Sequence, residues 1–283
     1  MSILVSGTLA IDHIATVADG FQTGDLNGKL DKPAAHWGGC GMNLSYALMR
    51  SKNNPLPWIF YGQNVPTGYQ AHIDDLGLNR LALIAQTEAN CAEAFIFSRS
   101  DGSQITGFYP GSTTFDAPTA AQEAAIKTCS HWIAGPEDDA TLLARLRFID
   151  PTTQLYWMPG QYVDVTRNNV LAPMLARKPN LVVNETEWQT LQRNVGDNQL
   201  NAALGSVFVT RGDAGVLWRQ NSGSDWQERP TKRAEVIDPT GCGDAFCGTL
   251  VGGIAQGLPM EQALDKAQSS AAACLGQTGA QHY

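Results

Sequence analysis

The stretch "DPTGCGDAF", from Asp238 to Phe246, decides how this chain is read. Asp238-Pro239-Thr240-Gly241 has the composition of a turn, and the residues after it, "GDAFCGTLVGGIAQG", can form a helix whose glycines allow close packing. The backbone N–H groups of Gly241, Cys242, Gly243 and Asp244 then fall at or near a helix N-terminus. Such a terminus offers unpaired donors and the positive end of a dipole, so it draws in anions. Glycine lets an anion approach the backbone without meeting a side chain. Asp244 also has a plainer explanation, because an acid in a first helical turn gains ~0.3 to 1 kcal/mol from the dipole alone.

The rest of the chain limits what that helix can serve. With 283 residues, 43% of them hydrophobic and 16% charged, it is long enough to bury a sizeable core, and no repeat or low-complexity tract interrupts it. Its 27 acids against 19 bases leave a formal net charge of -8 without long like-charge runs, which argues against a nucleic-acid or anionic-membrane surface. A phosphate ligand would have to be met by local devices. The opening "MSILVSGTLAIDHIATVADG" has no basic start and carries Asp12 inside its apolar run, unlike a signal peptide. No apolar run approaches the ~20 residues of a membrane span. Six cysteines (Cys40, Cys91, Cys129, Cys242, Cys247 and Cys274) are scattered without a C-x-x-C pair, as expected of reduced thiols in a cytoplasmic protein. Cys129 and His131 lack the second ligand pair of a zinc site.

Short β-rich runs recur: "ILVS" from Ile3, "WIFY" from Trp58, "AFIF" from Ala94, "HWIA" from His131, "RFID" from Arg147, "LVVN" from Leu181, "VFVT" from Val207 and "GVLW" from Gly215. Between most of them lie helix-like segments, such as 42–50, 120–129, 138–146 and 187–193. The alternation predicts an α/β fold with a mostly parallel sheet covered on both faces, and ligands at the carboxyl ends of its strands. Residues from about 10 to 36 and from about 88 to 114 break the rhythm with alternating stretches and turn chemistry such as "SDGS". They predict hairpins of a small β-sheet over the mouth of the main one, within a single domain spanning 1–283.

The commoner signatures are missing. There is no Walker P-loop, and the dinucleotide pattern G-x-G-x-x-G fails because Gly241 and Gly243 are followed by Phe246. G-x-S-x-G and H-E-x-x-H are also absent, which removes the usual support for hydrolase readings.

The Asp238–Phe246 stretch resembles the second signature of the ribokinase-like (PfkB) sugar and nucleoside kinases, a D-[TP]-T-G-A-G-D run. In that family its amides form an anion hole and its last acid is the catalytic base. The resemblance makes Gly241, Cys242 and Gly243 the anion hole and Asp244 the base, with Cys242 standing where the family has alanine. Companion motifs follow in the family's order along almost the whole chain. "GGCGMNLSYALMR", from Gly38 to Arg50, is similar to the early G-G-x-x-x-N motif, in which Gly38 and Gly39 let a sugar lie against backbone and Asn43 offers a donor and an acceptor to hydroxyls. Asp12, in "GTLAID", matches the acid that pairs with vicinal hydroxyls. A solvated aspartate and a capping asparagine are the alternatives for these two.

"NETE", from Asn184 to Glu187, is similar to the family's N-x-x-E motif and so assigns Asn184 and Glu187 to magnesium, held through water. Glu185 and Glu187 also fit as first-turn acids. "VFVTRGDAGVLW" is similar to V-T-x-G-x-x-G and places Thr210 and Gly212, with Gly241 and Gly243, beside ATP. Arg211 is either a phosphate contact or a solvated loop residue. "DGSQITGFYPGST", "IAGPED" and "IDPTTQL" are similar to segments of bacterial adenosine kinase-like members, with Ser103 replacing Asn and Thr153 replacing Gln. Gln104 is then a lid contact to substrate, and Phe108 or Tyr109 a wall for a flat base, with lid packing the alternative for each.

The resemblance implies a ribokinase-like three-layer α/β/α sandwich with a small β-sheet lid. It implies an ATP- and Mg2+-dependent kinase acting on the 5'-hydroxyl of a nucleoside, adenosine to AMP, in purine salvage, with ribose, fructose or a related furanose as the alternative acceptor. In relatives K+ activates through loops near Asp238 and the C-terminal helix, where backbone carbonyl ligands leave little residue signature, so the resemblance leaves K+ open here. An exposed edge of the small sheet leaves a homodimer open.

Overall fold

The computed structural model describes residues 2–17, 29–99, 104–164, 168–231 and 234–283. The chain begins with β1 (Ser2–Ser6), β2 (Ala10–Val17), β3 (Leu30–Gly38), α1 (Cys40–Arg50), β4 (Asn54–Pro57), β5 (Ile59–Gly62), α2 (Thr67–Asp75) and β6 (Leu83–Gln86). It continues through β7 (Ala92–Ser98), β8 (Gln104–Tyr109), α3 (Ala120–Lys127), β9 (His131–Ala134), α4 (Asp139–Arg145), β10 (Gln154–Trp157), α5 (Asn168–Ala176) and β11 (Asn180–Asn184). The last part holds α6 (Glu185–Val195), α7 (Asp197–Ala203), β12 (Val207–Thr210), β13 (Val216–Arg219), β14 (Gln227–Arg229), α8 (Cys242–Ala255) and α9 (Met260–Leu275).

Eight strands form the main sheet in the order β14-β13-β12-β11-β10-β9-β1-β4. The six from β12 to β4 are parallel; at the other end β13 pairs antiparallel with β12, and β14 antiparallel with β13. Successive residues of each strand point to opposite faces, so both faces must be covered. Trp132 and Ala134 of β9, Leu181 and Val183 of β11, and Val207 and Val209 of β12 enter one core with residues of α3, α4, α5, α6 and α7. Their neighbours Ile133, Val182 and Phe208 enter the other, against α1, α8 and α9. This is the three-layer α/β/α sandwich of the ribokinase-like fold.

A second sheet has the order β3-β2-β7-β8, with its two inner strands parallel to each other and each outer strand antiparallel to its neighbour. Segments 10–36 and 88–114 thus supply two strands each. Residues 18–28 and 100–103, including Ser103, lie outside the described residues. Strands β5 and β6 form a separate parallel pair. With α2 and α1 they enclose a third core built on Leu9, Met42, Tyr69 and Cys91.

Two strand expectations need correction. "RFID" is not a strand: it falls in the turns that close α4, where the Arg147 and Phe148 N–H groups donate to Ala144 O and Arg145 O at 3.3 and 3.0 Å. The strand is β10, beginning three residues after Pro151, which has no N–H for a ladder. "WIFY" supplies β5 of the separate pair, whereas the edge of the main sheet is β4, "NPLP". Its two prolines hide it from a β-propensity reading, yet a sheet edge is where proline is tolerated.

Asp138 accepts the Ala140 and Thr141 N–H groups at 3.0 Å each and opens α4. At the other end of α4, Arg145 is 1% exposed and gives its Nε–H to Glu137 Oε2 at 2.8 Å, while its guanidinium lies 4.6 Å from the Trp58 ring centroid. Glu137 Oε1 accepts the Ser6 hydroxyl at 2.9 Å. This buried network locks the loop after β9, which carries Pro136, to the end of β1. Arg145→Met therefore leaves the Glu137 charge buried and unpaired, and chemical denaturation of the variant is expected to show a loss of about 3–5 kcal/mol.

Candidate active site

The N-terminus of α8 stands between two cavities. The smaller, about 280 Å³, is lined by Thr8, Asp12, Gly39, Cys40, Asn43, Ile96, Gln104, Phe108, Pro136, Tyr162, Glu187 and Asp244 among others. The larger, about 690 Å³, is lined by Thr210, Gly212, Val216, Cys242, Gly243, Gln268 and Leu275 among others, and Pro239 borders both. These residues follow the carboxyl ends of parallel strands: Thr8 follows β1, Pro136 follows β9, Tyr162 follows β10, Glu187 follows β11 and Gly212 follows β12. Among the described residues, no lysine or arginine lines either cavity.

Gly241 caps α8 with φ 78°, a left-handed conformation that favours glycine, and a Cβ there would lie 2.2 Å from Ala280 Cβ. The Ala245 N–H closes the first helical turn on Gly241 O at 2.8 Å, and the Cys242 N–H turns back to Pro239 O at 3.2 Å. Among the described residues, the N–H groups of Gly241, Gly243 and Asp244 find no acceptor. A Cβ on Gly243 would meet nothing within 4 Å. Three amides rather than four are therefore left to an anion at this helix start.

Asp244 sits in the first turn of α8, 7% exposed, and its Oδ2 accepts the Asn43 Nδ2–H at 2.9 Å. Burial raises its pKa to about 7; the Asn43 hydrogen bond opposes that rise, while the Asp12 and Glu187 charges add to it. Asp12, on β2 and 4% exposed, is likewise raised to about 7 by burial and then by Asp238. It has no hydrogen-bond partner among the described residues, so a buried carboxylate is left available inside the cavity. Gly38 makes room for it, since a Cβ at that position would fall 2.1 Å from the Asp12 carboxylate. The structure thus brings Asp12, Gly38, Gly39, Asn43 and Asp244 together.

Asn184 and Glu187 form a capping box at the start of α6: Asn184 Oδ1 accepts the Glu187 N–H, and Glu187 Oε2 accepts the Asn184 N–H, both at 2.9 Å. One Glu187 oxygen remains, at the smaller cavity, and burial raises the pKa of this carboxyl. Asp12, Asp244 and Glu187 have no ion-pair partner among the described residues.

Gln104, at the start of β8, gives its amide to Ser98 Oγ, Asp238 Oδ1 and Thr240 Oγ1 at 3.0 to 3.1 Å, joining the second sheet to the turn before α8. Strand alternation puts Phe108 on the cavity side with Gln104 and Thr106, while Tyr109 does not line the cavity. Thr210 and Gly212 line the larger cavity. Arg211 lines neither; it pairs with Glu228 at 3.2 Å on the surface.

Several residues escaped the sequence reading. Asp238, 2% exposed, accepts from the Thr240 N–H, the Thr240 hydroxyl, Gln104 and the Gly279 N–H. Its place in the opening motif was a signal for it. Thr8 and Cys40 fall at unassigned positions of the quoted motifs and Tyr162 in none, because their place at the cavity depends on how separate strand ends converge.

Two cavities thus meet at an amide-lined helix start of an α/β fold, with Asp12 and Asp244 both buried beside it. The family profile described as pfkB family carbohydrate kinase matches residues 1–283, and the chain belongs to that family. It is similar to the Burkholderia thailandensis nucleoside kinase solved in complex with inosine, at 25% identity and TM-score 0.87 over 100% of this chain and 94% of that one. Its fold is also that of the Cryptococcus neoformans var. grubii serotype A ribokinase solved with ADP, at 20% identity and TM-score 0.85 over 99% of this chain and 95% of the other. A cytidine kinase of Thermococcus kodakarensis is 43% identical over 56 residues, so the match spans only 20% of either protein.

The two glycines of the helix start separate structure from chemistry. Gly241→Ala forces a side chain into a left-handed position and against Ala280, and a thermal melt is expected to show a loss of at least about 1–2 kcal/mol. Gly243→Ala is expected to leave the melt unchanged or slightly higher, because alanine gains helix propensity of ~1 kcal/mol. Turnover should still fall by about 10²- to 10³-fold, the worth of one anion-hole donor, as its methyl group occupies the anion's approach.

Proposed function

We propose that this kinase transfers the γ-phosphoryl group of ATP to the 5'-hydroxyl of a nucleoside, adenosine giving AMP. The observation that carries the reading is Asp244 itself, held between the two cavities beside unpaired backbone amides. The smaller cavity suits a nucleoside: Asp12 and Asn43 meet ribose hydroxyls, Gly39 lets the sugar lie against backbone, and Phe108, Tyr162 and Ile96 supply apolar wall for a base. The larger cavity takes the nucleotide, with Thr210 and Gly212 along it and Gly243 at the phosphate end. The complex of the Burkholderia kinase with inosine supports a nucleoside as the acceptor.

In this reading Asp244 accepts the hydroxyl proton as the acceptor oxygen attacks. The N–H groups of Gly241, Gly243 and Asp244 hold charge on the migrating phosphoryl group, each such donor being worth about 2.7–4 kcal/mol. Asn184 and Glu187 fit a magnesium ion held through water, because Glu187 presents at the smaller cavity a hard oxygen that has no cationic partner among the described residues. A bound ion there would offset the negative charge of the phosphates. The second sheet acts as a lid: Ala94, Ile96, Gln104 and Phe108 line the cavity from its inner side and keep water from the phosphoryl group.

A furanose kinase reading is favoured by the ribokinase fold likeness and by Asp12, Gly39 and Asn43, which meet hydroxyls common to ribose and nucleosides. ADP release measured across nucleosides and sugars separates the two, and turnover of ribose or fructose without turnover of adenosine overturns the nucleoside reading.

Asp244→Asn is expected to leave nucleoside binding intact and lower kcat by about 10²- to 10⁴-fold. Only the ionised carboxylate accepts a proton, so kcat/KM of the parent protein should fall as pH drops through about 7 and level off above it. The same shift acts on stability. Between about 4 and about 7 the folded chain holds this proton more tightly than the unfolded one, so the contribution is lost as pH rises through about 7. At pH 8 Asp244→Asn should therefore melt higher than the parent, by roughly 2–4 °C for each kcal/mol recovered.

A further inference from the structure

Behind Asn43 lies a second polar layer. Gln281 is 1% exposed, and its Nε2 donates to Asn43 Oδ1 at 2.9 Å and to Tyr69 Oη at 3.1 Å. Its Oε1 lies 3.0 Å from His72 Nε2. Tyr69 Oη donates in turn to Gly38 O at 2.7 Å, on the backbone beneath the Asp12 carboxylate.

The direction of every bond in this chain follows from its charged end. An ionised Asp244 only accepts, so Asn43 must present Nδ2 to it, which leaves Asn43 Oδ1 facing Gln281. Gln281 must then present Nε2, and its Oε1 faces His72, which supplies the N–H. Either amide turned by 180° would set oxygen against oxygen. An amide can take either orientation unless its partners choose one, and here each partner has one choice.

We propose that Gln281 is a positioning residue of the phosphoryl-transfer site: by donating to Asn43 and Tyr69 together it locks the Asn43 amide with its N–H toward Asp244 and seats Gly38 under Asp12. The inference rests on the reading of Asp244 as the base. A hydrogen bond to the ionised carboxylate favours that form, so losing it moves ionisation of Asp244 to higher pH. The titratable groups that face Asp244 are Asp12 from β2, Glu187 from α6, Cys40 from α1, Cys247 on α8 itself, Cys274 from α9 and Tyr283. None is cationic, so nothing else in this set takes over the task of Asn43.

The test compares pH profiles of kcat/KM for the parent, Gln281→Met and Gln281→Glu, with Asp244→Asn alongside. Gln281→Met should move the acid limb up by about one pH unit, which is roughly a tenfold loss on the limb with recovery at high pH. Gln281→Glu keeps the side chain's size, and serves where Gln281→Met does not fold; it turns an acceptor toward Asn43 Oδ1, inverts that amide and should move the limb further. A carboxyl-carbon NMR titration of Asp244 reads the same displacement without turnover. A limb and a titration unmoved in both Gln281 variants, with Asp244→Asn inactive, overturn the positioning role and leave the base reading standing. Near-normal turnover by Asp244→Asn overturns the base reading, and the NMR titration then still decides whether Gln281 orients Asn43.

Discussion

Uncompensated carboxylate charge is the constraint around which this molecule is arranged. Asp12, Asp244 and Glu187 face one cavity that, among the described residues, no lysine or arginine lines, and burial pushes all three toward protonation. What holds Asp244 in usable form is weaker and directional: the start of α8 and one Asn43 hydrogen bond. Such a site is costly to fold around, as functional sites commonly are. The two apolar cores on either side of the main sheet supply the stability that lets the chain carry it.

A second carboxylate ties that site to the fold. Asp238 accepts from the turn through Thr240, from the second sheet through Gln104 and from the segment after α9 through Gly279. The Ile237 and Asp238 N–H groups also donate to Leu275 O at 2.9 and 3.1 Å. The geometry of the anion site is thus fixed by three distant parts of the chain. Each bond is ordinary, but their convergence on one buried side chain makes the turn before α8 a junction rather than a loop.

Much of this was legible in the sequence, for identifiable reasons. Strands such as "LVVN" and "VFVT" are continuous apolar runs because both faces of a parallel sheet are buried, and the start of α8 declares itself through glycine and aspartate chemistry. Asp12, Asn43 and Asp244 could be read because the motif is local in each case. β4 was hidden by its prolines, and "RFID" misled because four residues of β-like composition do not show whether a sheet has room for them. Gln281 gave no signal at all: its meaning comes from Asn43, Tyr69 and His72, more than two hundred residues away in sequence. The capping box of Asn184 and Glu187 shows the opposite case, in which one spacing serves a helix start and leaves an oxygen for something else.

An anion site built on backbone amides at a helix start has a kinetic consequence. A chain of formal net charge -8 repels a multiply charged anion at long range. The amides of α8 act only within the last few ångströms, so they contribute to residence time and not to encounter.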